Sequence, residues 1–491
     1  MTSVLLVYPF FRGSRDRSRF RFPPLGPAYV AAALREAGHA VELLDCTFLG
    51  RDEALEKARA AKAEVVGLYA MATLTRDCLW LAGRLRGHCG LLVAGGPAPT
   101  CDPAAFAGAF DVVVRGEGEQ SMCEIVAAYQ AGGDVVALPA PRPLATDLDA
   151  IAFPARELLP NERYIAYGRK KYGYAITTVM STRGCPFDCE FCSNVLFGGS
   201  YRERSPGNVV DEIEEALALG YDRISFADDV FTLNRRRVVA VCDEIARRGL
   251  HFAWECLGRV DSLDFETARL MKAAGCFRIF FGIESGNEEI LRLMNKQITT
   301  RQAGDAVRAA HAAGLEVGAF FILYYPGETD DTVLDTLRFA GSLPLDYLGL
   351  TMPYPLPGAR VAAGGRSAAE PDAHLRRRRL GYQDAVRHRQ GPRAVRDEAA
   401  PGQTGSRGPE GLRGADRQTA AAPAIRSARG AGRSAAQRCG VKAAMVSPMR
   451  RRSQSVSNSE RYTKVTSFSS CQSAPSSGPP SRVNSSDPGS G

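Results

Sequence analysis

The sequence predicts two parallel α/β units in series, followed by a tail with no core of its own. Three observations carry this. Apolar runs alternate with amphipathic helical stretches over residues 3–131, six further β-rich runs alternate with helices over residues 175–358, and past Gly358 the composition changes abruptly. Alternation of strand and helix implies crossover connections and a parallel sheet in each unit.

In the first unit, residues 1–131, the runs 3–8, 40–45, 65–70, 91–95 and 111–115 are mostly apolar, as strands covered on both faces require. This pattern predicts a doubly wound sheet of flavodoxin or Rossmann type, whose ligands sit beyond the carboxyl ends of the strands. Glycine-rich turns stand at those ends: Pro23-Pro24-Leu25-Gly26, Gly95-Gly96-Pro97-Ala98-Pro99-Thr100 and Arg115-Gly116-Glu117-Gly118-Glu119. Glycine lets the backbone approach a large ligand closely, which makes Gly95, Gly96 and Gly116 candidate contacts. Any doubly wound fold needs tight turns, so the turns alone identify no ligand.

Residues 132–174 read as a linker. The second unit, residues 175–358, opens on a strand over 175–180 and then on Ser181-Thr182-Arg183-Gly184-Cys185-Pro186-Phe187-Asp188-Cys189-Glu190-Phe191-Cys192. Three thiolates spaced C-x3-C-x2-C on one short loop can hold three irons of a [4Fe-4S] cluster and leave the fourth iron open. A structural zinc site wants four protein ligands, and neither a fourth Cys nor a His follows at close range. Gly184 and Pro186 beside the first thiol make a loop rather than a packed segment. Later strands close on Phe226-Ala227-Asp228-Asp229, on Glu255-Cys256-Leu257-Gly258-Arg259-Val260-Asp261 and on Phe281-Gly282-Ile283-Glu284-Ser285-Gly286. Two more runs follow at 318–323 and 347–354, and helical periodicity fills 209–219, 235–248, 264–274 and 301–313 between them.

The cysteine spacing, the aromatic Phe191 before the last thiol and the strand-end motifs together resemble the radical S-adenosylmethionine superfamily. The resemblance implies a partial (β/α)6 barrel with its site at the carboxyl strand ends. It implies that Cys185, Cys189 and Cys192 bind the cluster, with Phe191 beside it, and that the open iron chelates the amino and carboxylate groups of S-adenosylmethionine. Asp228 and Asp229 then face the ammonium, Arg259 meets the carboxylate with its planar fork, and Glu284 accepts from the ribose hydroxyls. The plainer reading makes Glu284 a carboxylate at the start of a helix over 287–294 and the Asp pair turn residues.

Taken with the cluster loop, the Pro-Pro-Leu-Gly opening, the Gly-Gly-Pro turn and Val114-Arg115-Gly116-Glu117-Gly118-Glu119 are similar to the cobalamin-binding radical enzymes. That likeness implies an oxygen-sensitive enzyme that packs a corrinoid between its first domain and the barrel mouth. An electron from a donor such as flavodoxin or ferredoxin would cleave S-adenosylmethionine to a 5′-deoxyadenosyl radical. Methylcobalamin would then deliver a methyl group to an unactivated carbon of a small-molecule or lipid substrate. Cyclisation and rearrangement occur on the same scaffold. A tRNA methylthiotransferase needs three more cluster cysteines in the first unit, the first of them where Tyr8-Pro9-Phe10 stands. A third alternative is an inactive, truncated cofactor binder. The Asp-x-His-x-x-Gly loop that ligates cobalt in many corrinoid domains is missing, and His39 and His88 stand in Ala-Gly-His-Ala and Gly-His-Cys contexts, so no histidine ligand is expected on cobalt.

Thirteen cysteines, no secretory leader and no apolar run of membrane-spanning length point to a cytoplasmic protein with reduced thiols. Cys46, Cys78, Cys89, Cys101, Cys123, Cys242, Cys256 and Cys276 read as small buried hydrophobes, with Cys256 nearest the site. From residue 360 on, 24 Lys and Arg stand against 9 Asp and Glu, and 13 of 132 residues are Leu, Ile, Val or Phe. Such a segment builds no core. Residues 359–491 are therefore expected to be a disordered basic tail, one that would bind nucleic acid only without specificity. The switch to Arg, Ala, Gly and Pro just after Pro353-Tyr354-Pro355-Leu356-Pro357-Gly358 reads as out-of-frame translation or truncation of a helical region.

Overall fold

The computed structural model describes residues 1–11, 21–135, 141–193, 196–354, 356 and 358–363. In the first unit the strands are β1 (Ser3–Tyr8), β2 (Ala40–Asp45), β3 (Val65–Tyr69), β4 (Leu91–Gly95) and β5 (Val112–Val113). Between and after them run α1 (Leu25–Glu36), α2 (Arg51–Ala60), α3 (Thr75–Leu85), α4 (Pro97–Cys101), α5 (Ala104–Ala107) and α6 (Glu119–Gln130). The sheet order is β2-β1-β3-β4-β5, all parallel. That is the flavodoxin-like order, with its switch point between β1 and β3. Two cores follow from covering both faces. Leu5, Val7, Val66 and Leu68 pack on one side with Leu81 and Leu85 of α3, and Val4, Leu6, Val65 and Val93 pack on the other with Leu34 of α1 and Ile125 of α6.

The stretch read as a linker is more structured than its composition suggested. It carries α7 (Asn161–Tyr172) and a 3-10 turn at Arg156–Leu158. Tyr164 of α7 is buried, and its hydroxyl bonds Asp45 and, at 2.9 Å, Thr47 Oγ1 of the first unit. Arg156 is buried too, donating to the Thr178 carbonyl oxygen at 2.7 Å and pairing with Glu212. These are single polar anchors, which leave no periodic trace in a sequence.

The second unit contains β6 (Ile176–Val179), the short hairpin β7 (Thr182–Arg183) and β8 (Arg202–Glu203), then α8 (Pro206–Ala218), β9 (Arg223–Phe226), α9 (Arg235–Arg247) and β10 (Ala253–Gly258). It continues through α10 (Phe265–Ala273), β11 (Cys276–Glu284), α11 (Glu288–Leu293), α12 (Thr300–Ala312), β12 (Glu316–Ile322), α13 (Asp330–Ser342) and β13 (Tyr347–Thr351). Its six parallel strands run in chain order, β6-β9-β10-β11-β12-β13, as successive right-handed βα units require. Helices start where the sequence supplies a cap. Asn234, Asp264, Asn287, Thr299 and Thr329 each accept a backbone N–H of the first turn, and Thr299 and Thr329 form full capping boxes. Trp254, Phe226, Phe281 and Phe321 fill the layer between strands and helices. Cys256 lies in that layer as well, facing the helices rather than the strand ends.

The expected disordered tail falls almost wholly outside the described residues. Its first residues are an exception, since α14 (Arg360–Ala363) is helical, Ala359 is buried, and Val361 packs beside Ile290, Met294, Ile322 and Tyr325. Packed residues thus continue past Gly358 as far as Val361. Among the described residues no helix is long and apolar enough to cross a membrane.

Candidate functional site

The three cysteines lie on the loop between β7 and β8. Gly184 starts it with φ +87°, and a Cβ there would collide with the Ser200 carbonyl oxygen, so only glycine turns the chain this way. Neighbouring elements then hold the loop from several sides. The Arg259 guanidinium covers the Phe187 ring at 3.5 Å. Glu190 N donates to Met294 O at 3.0 Å, and Asn295 Nδ2 donates to Asp188 O at 2.7 Å. Phe191 packs with Ile290, Met294, Ile322 and Tyr325, so its ring anchors the loop. Arg360 pairs with Glu190 at 3.0 Å and with Asp188, and Val361 N donates to Glu190 O at 3.0 Å.

Burial raises all three thiols above their ordinary range, Cys192 to about 12, and Asp229 beside Cys185 and Cys192 adds to the effect. Arg259 and Lys296 oppose it at Cys189. The free thiols are therefore protonated at neutral pH, and metal must displace those protons to bind. Among the described residues no three His, Cys, Asp or Glu side chains converge as around a single ion. A four-iron cube instead presents a separate iron to each thiolate.

The sequence-nominated strand-end residues meet around this loop, but they are not equally available. Asp228 is buried, and its Oδ1 accepts Ser181 N at 2.6 Å and Thr182 N at 3.1 Å while Oδ2 takes the Ser181 hydroxyl. Its carboxylate is committed to holding the end of β6. Asp229 keeps an exposed surface, yet desolvation by the atoms packed around its carboxyl, together with the Asp228 charge, raises its pKa. Arg259 turns its fork onto Asp261, with Nε and Nη2 each at 2.9 Å, and donates to Lys296 O at 3.1 Å. Glu284 has φ +72° and pairs with Lys296 Nζ at 3.1 Å. It does not cap α11, because Asn287 does. Asn295 and Gln297, flanking Lys296, also have positive φ. Non-glycine residues held there mark strain that the surrounding contacts must over-determine.

Gly95, Gly96 and Gly116 lie elsewhere, on a cleft of about 750 Å3 counting its open mouth. Leu6, Gly67, Val93, Met122, Tyr69 and Gly26 line its depth, and Met180, Arg183 and Phe197 of the second unit close its rim. At Gly67 a Cβ would stand 2.8 Å from Leu6 Cδ2, so the absent side chain is what opens the slot between sheet and helices. The cleft's charged groups are already paired, Arg183 with Glu117 and Glu119. The lining therefore suits a bulky, uncharged ligand with an apolar limb. His39 and His88 precede β2 and β4, at the amino ends of those strands, whereas the cleft is lined from β1, β3 and β4 and from the turns that follow β4 and β5.

Sequence reasoning missed Lys296, Phe187 and the Arg183 pairings. Lys296 carries no motif and follows a helix end, whereas Glu117 and Glu119 were visible in the turn but only its glycine was singled out.

With this geometry in place, comparisons with known proteins agree on both halves. The chain matches the Radical SAM superfamily over residues 179–340 and the B12 binding domain over residues 14–126. It is 35% identical over 366 residues to an uncharacterized methyltransferase of Pyrococcus horikoshii, covering 69% of this chain and 77% of that one. It is 28% identical over 387 residues to the anaerobic magnesium-protoporphyrin IX monomethyl ester cyclase of Cereibacter sphaeroides, covering 72% of this chain and 62% of that protein. Among solved structures, the radical S-adenosylmethionine methyltransferase TsrM from Kitasatospora setae, with cobalamin and a [4Fe-4S] cluster bound, shares the fold. Its TM-score is 0.61 at 20% identity, covering 73% of this chain and 74% of that chain.

Proposed function

The chain belongs to the radical S-adenosylmethionine superfamily, in its cobalamin-binding branch, and from that premise we propose that it methylates an unactivated carbon of a small-molecule or lipid substrate. The cofactors are a [4Fe-4S] cluster, S-adenosylmethionine and cobalamin. Together they supply one-electron cleavage of S-adenosylmethionine and a transferable methyl group. The protein positions them and excludes water. The observation that supports methylation best is the cleft itself, a glycine-opened apolar slot whose rim includes residues of the strand and hairpin leading into the cysteine loop.

In this reading Cys185, Cys189 and Cys192 hold three irons, and Gly184 sets the loop that presents them. Asp229 rather than the committed Asp228 takes the ammonium of S-adenosylmethionine, and Glu284, balanced by Lys296, takes the ribose. Arg259 steadies the loop through Phe187 while bonded to Asp261. The corrinoid sits over Gly95, Gly96 and Gly116 with its apolar limb at Gly67, and no histidine ligates its cobalt. The electron donor is a small low-potential protein such as flavodoxin or ferredoxin, and the compartment is the cytoplasm, where thiols stay reduced.

Two variants probe these assignments separately. Glu284→Gln removes the charge that Lys296 balances and one ribose acceptor, and is expected to weaken S-adenosylmethionine binding by about 1.5–3 kcal/mol at unchanged iron content. Calorimetry on iron-loaded protein checks it, and unaltered affinity would move the ribose contact elsewhere. Gly67→Val refills the slot and is expected to weaken cobalamin retention with the cluster intact, read by equilibrium dialysis; unaltered retention would move the corrinoid's apolar limb elsewhere. Methyl transfer itself is tested by incubating the reconstituted, reduced protein with methyl-labelled S-adenosylmethionine. Label should appear on bound cobalamin. Formation of 5′-deoxyadenosine with unlabelled cobalamin would favour a cyclase or rearrangement instead.

A further inference from the structure

Arg183 stands on β7, one residue before the Gly184 turn and two before Cys185, yet its guanidinium is spent on the first unit. Nη1 donates to Glu117 Oε1 at 2.9 Å and Nη2 to Glu119 Oε1 at 2.7 Å. Arg202, its cross-strand partner on β8, donates to the same Glu117 Oε1 at 2.9 Å and to Ala145 O at 2.6 Å, while Glu117 Oε2 accepts Ala145 N at 2.8 Å. The Tyr29 and Phe197 rings flank the Arg183 guanidinium at 5.1 and 5.4 Å. Side-chain exposure is 6% for Arg183 and 9% for Glu117, so solvent does not screen this pair as it would on a surface. Glu117 in the turn and Glu119 at the start of α6 both line the cleft.

A buried ion pair is weak evidence for stability, and its best-attested service is to fix register. Arg183 has the geometry for that. Each arm of its rigid fork meets a different carboxylate, which constrains both the position and the rotation of β7. We propose that Arg183 is a positioning residue that fixes the cysteine loop relative to the corrinoid cleft, so that the two bound cofactors keep one mutual distance. The proposal rests on the assignment of cluster and corrinoid made above. Lysine offers a point charge without a fork and does not reproduce the constraint.

The test is a pulsed electron paramagnetic resonance distance between the reduced cluster and cob(II)alamin in the anaerobically loaded full chain. The wild type should give one narrow distance distribution. Arg183→Met should bind both cofactors but give a broadened or shifted distribution, and Arg183→Lys should fall between. Arg183→Met leaves Glu119 without its cation while Glu117 keeps Arg202, so if it fails to fold, Arg183→Met combined with Glu119→Gln removes the uncompensated charge and makes the same measurement. An unchanged narrow distribution in any loaded variant overturns the proposal, as does loss of both cofactors from all of them, which would reveal a folding role alone. A wild type without a cob(II)alamin signal overturns the corrinoid assignment and the proposal with it, whatever Arg183 does.

Discussion

Replacing Cys185, Cys189 or Cys192 with alanine is expected to reduce bound iron from about four per chain to near zero. Each thiolate is the sole protein ligand of one iron in this reading. Among the described residues, the nearby carboxylates of Asp188 and Glu190 are paired with Arg360, Asp229 is assigned to S-adenosylmethionine, and Cys256 faces the packed layer behind the strands. The loop's shape should survive the change, since it is held by Phe187, Phe191 and backbone bonds to Met294 and Val361. Iron and sulfide analysis after anaerobic reconstitution, with circular dichroism to show a retained fold, checks this. A full cluster in the triple variant would remove the loop from the site.

The second large effect is expected far from the cysteines. Glu212 of α8 is fully buried between Arg156 and Arg204, with the Tyr29 hydroxyl 3.4 Å away. Glu212→Ala leaves two guanidiniums in the interior with no carboxylate between them, and losing one partner of a buried pair costs about 3–5 kcal/mol. Against a typical total of roughly 5–15 kcal/mol, that is enough to lower the denaturation midpoint sharply. The reason is the stranded charge rather than the lost contact. Adding Arg156→Met and Arg204→Met to Glu212→Ala should therefore recover much of the loss, because well-packed apolar replacements of buried ion pairs are often neutral. Denaturant midpoints of the single and triple variants decide it. A triple variant no more stable than the single one would mean that packing, not charge, sets the cost.

These two effects differ in how visible their causes were in the sequence. The cysteine spacing is local, as are the glycine turns and the alternation of strand and helix, so both sheets and the loop could be read directly. Asp228 shows where such reading stops. Its place at a strand end matches a ligand residue as well as a structural one, and only the hydrogen bonds to Ser181 and Thr182 reveal that the carboxylate is occupied. Arg259 is similar, since its turn onto Asp261 depends on a rotamer. Arg156, Glu212 and Arg183 were illegible for another reason. Arg156 and Glu212 lie 56 positions apart and Arg183 and Glu117 lie 66 apart, and a single long-range ion pair imposes no period on either segment. Lys296 is closer to its partner but equally without a motif, a buried cation in the loop after α11 whose meaning comes from Glu284 at the end of β11.

The central claim is that one chain holds a cluster on the Cys185–Cys192 loop and a corrinoid in the glycine-lined cleft at the same time. Native mass spectrometry of the full chain, reconstituted anaerobically with iron, sulfide and cobalamin, tests it most directly. The account predicts a dominant species carrying one [4Fe-4S] cluster and one cobalamin. A species that carries the cluster but never cobalamin, at concentrations where the cluster is fully loaded, would contradict it.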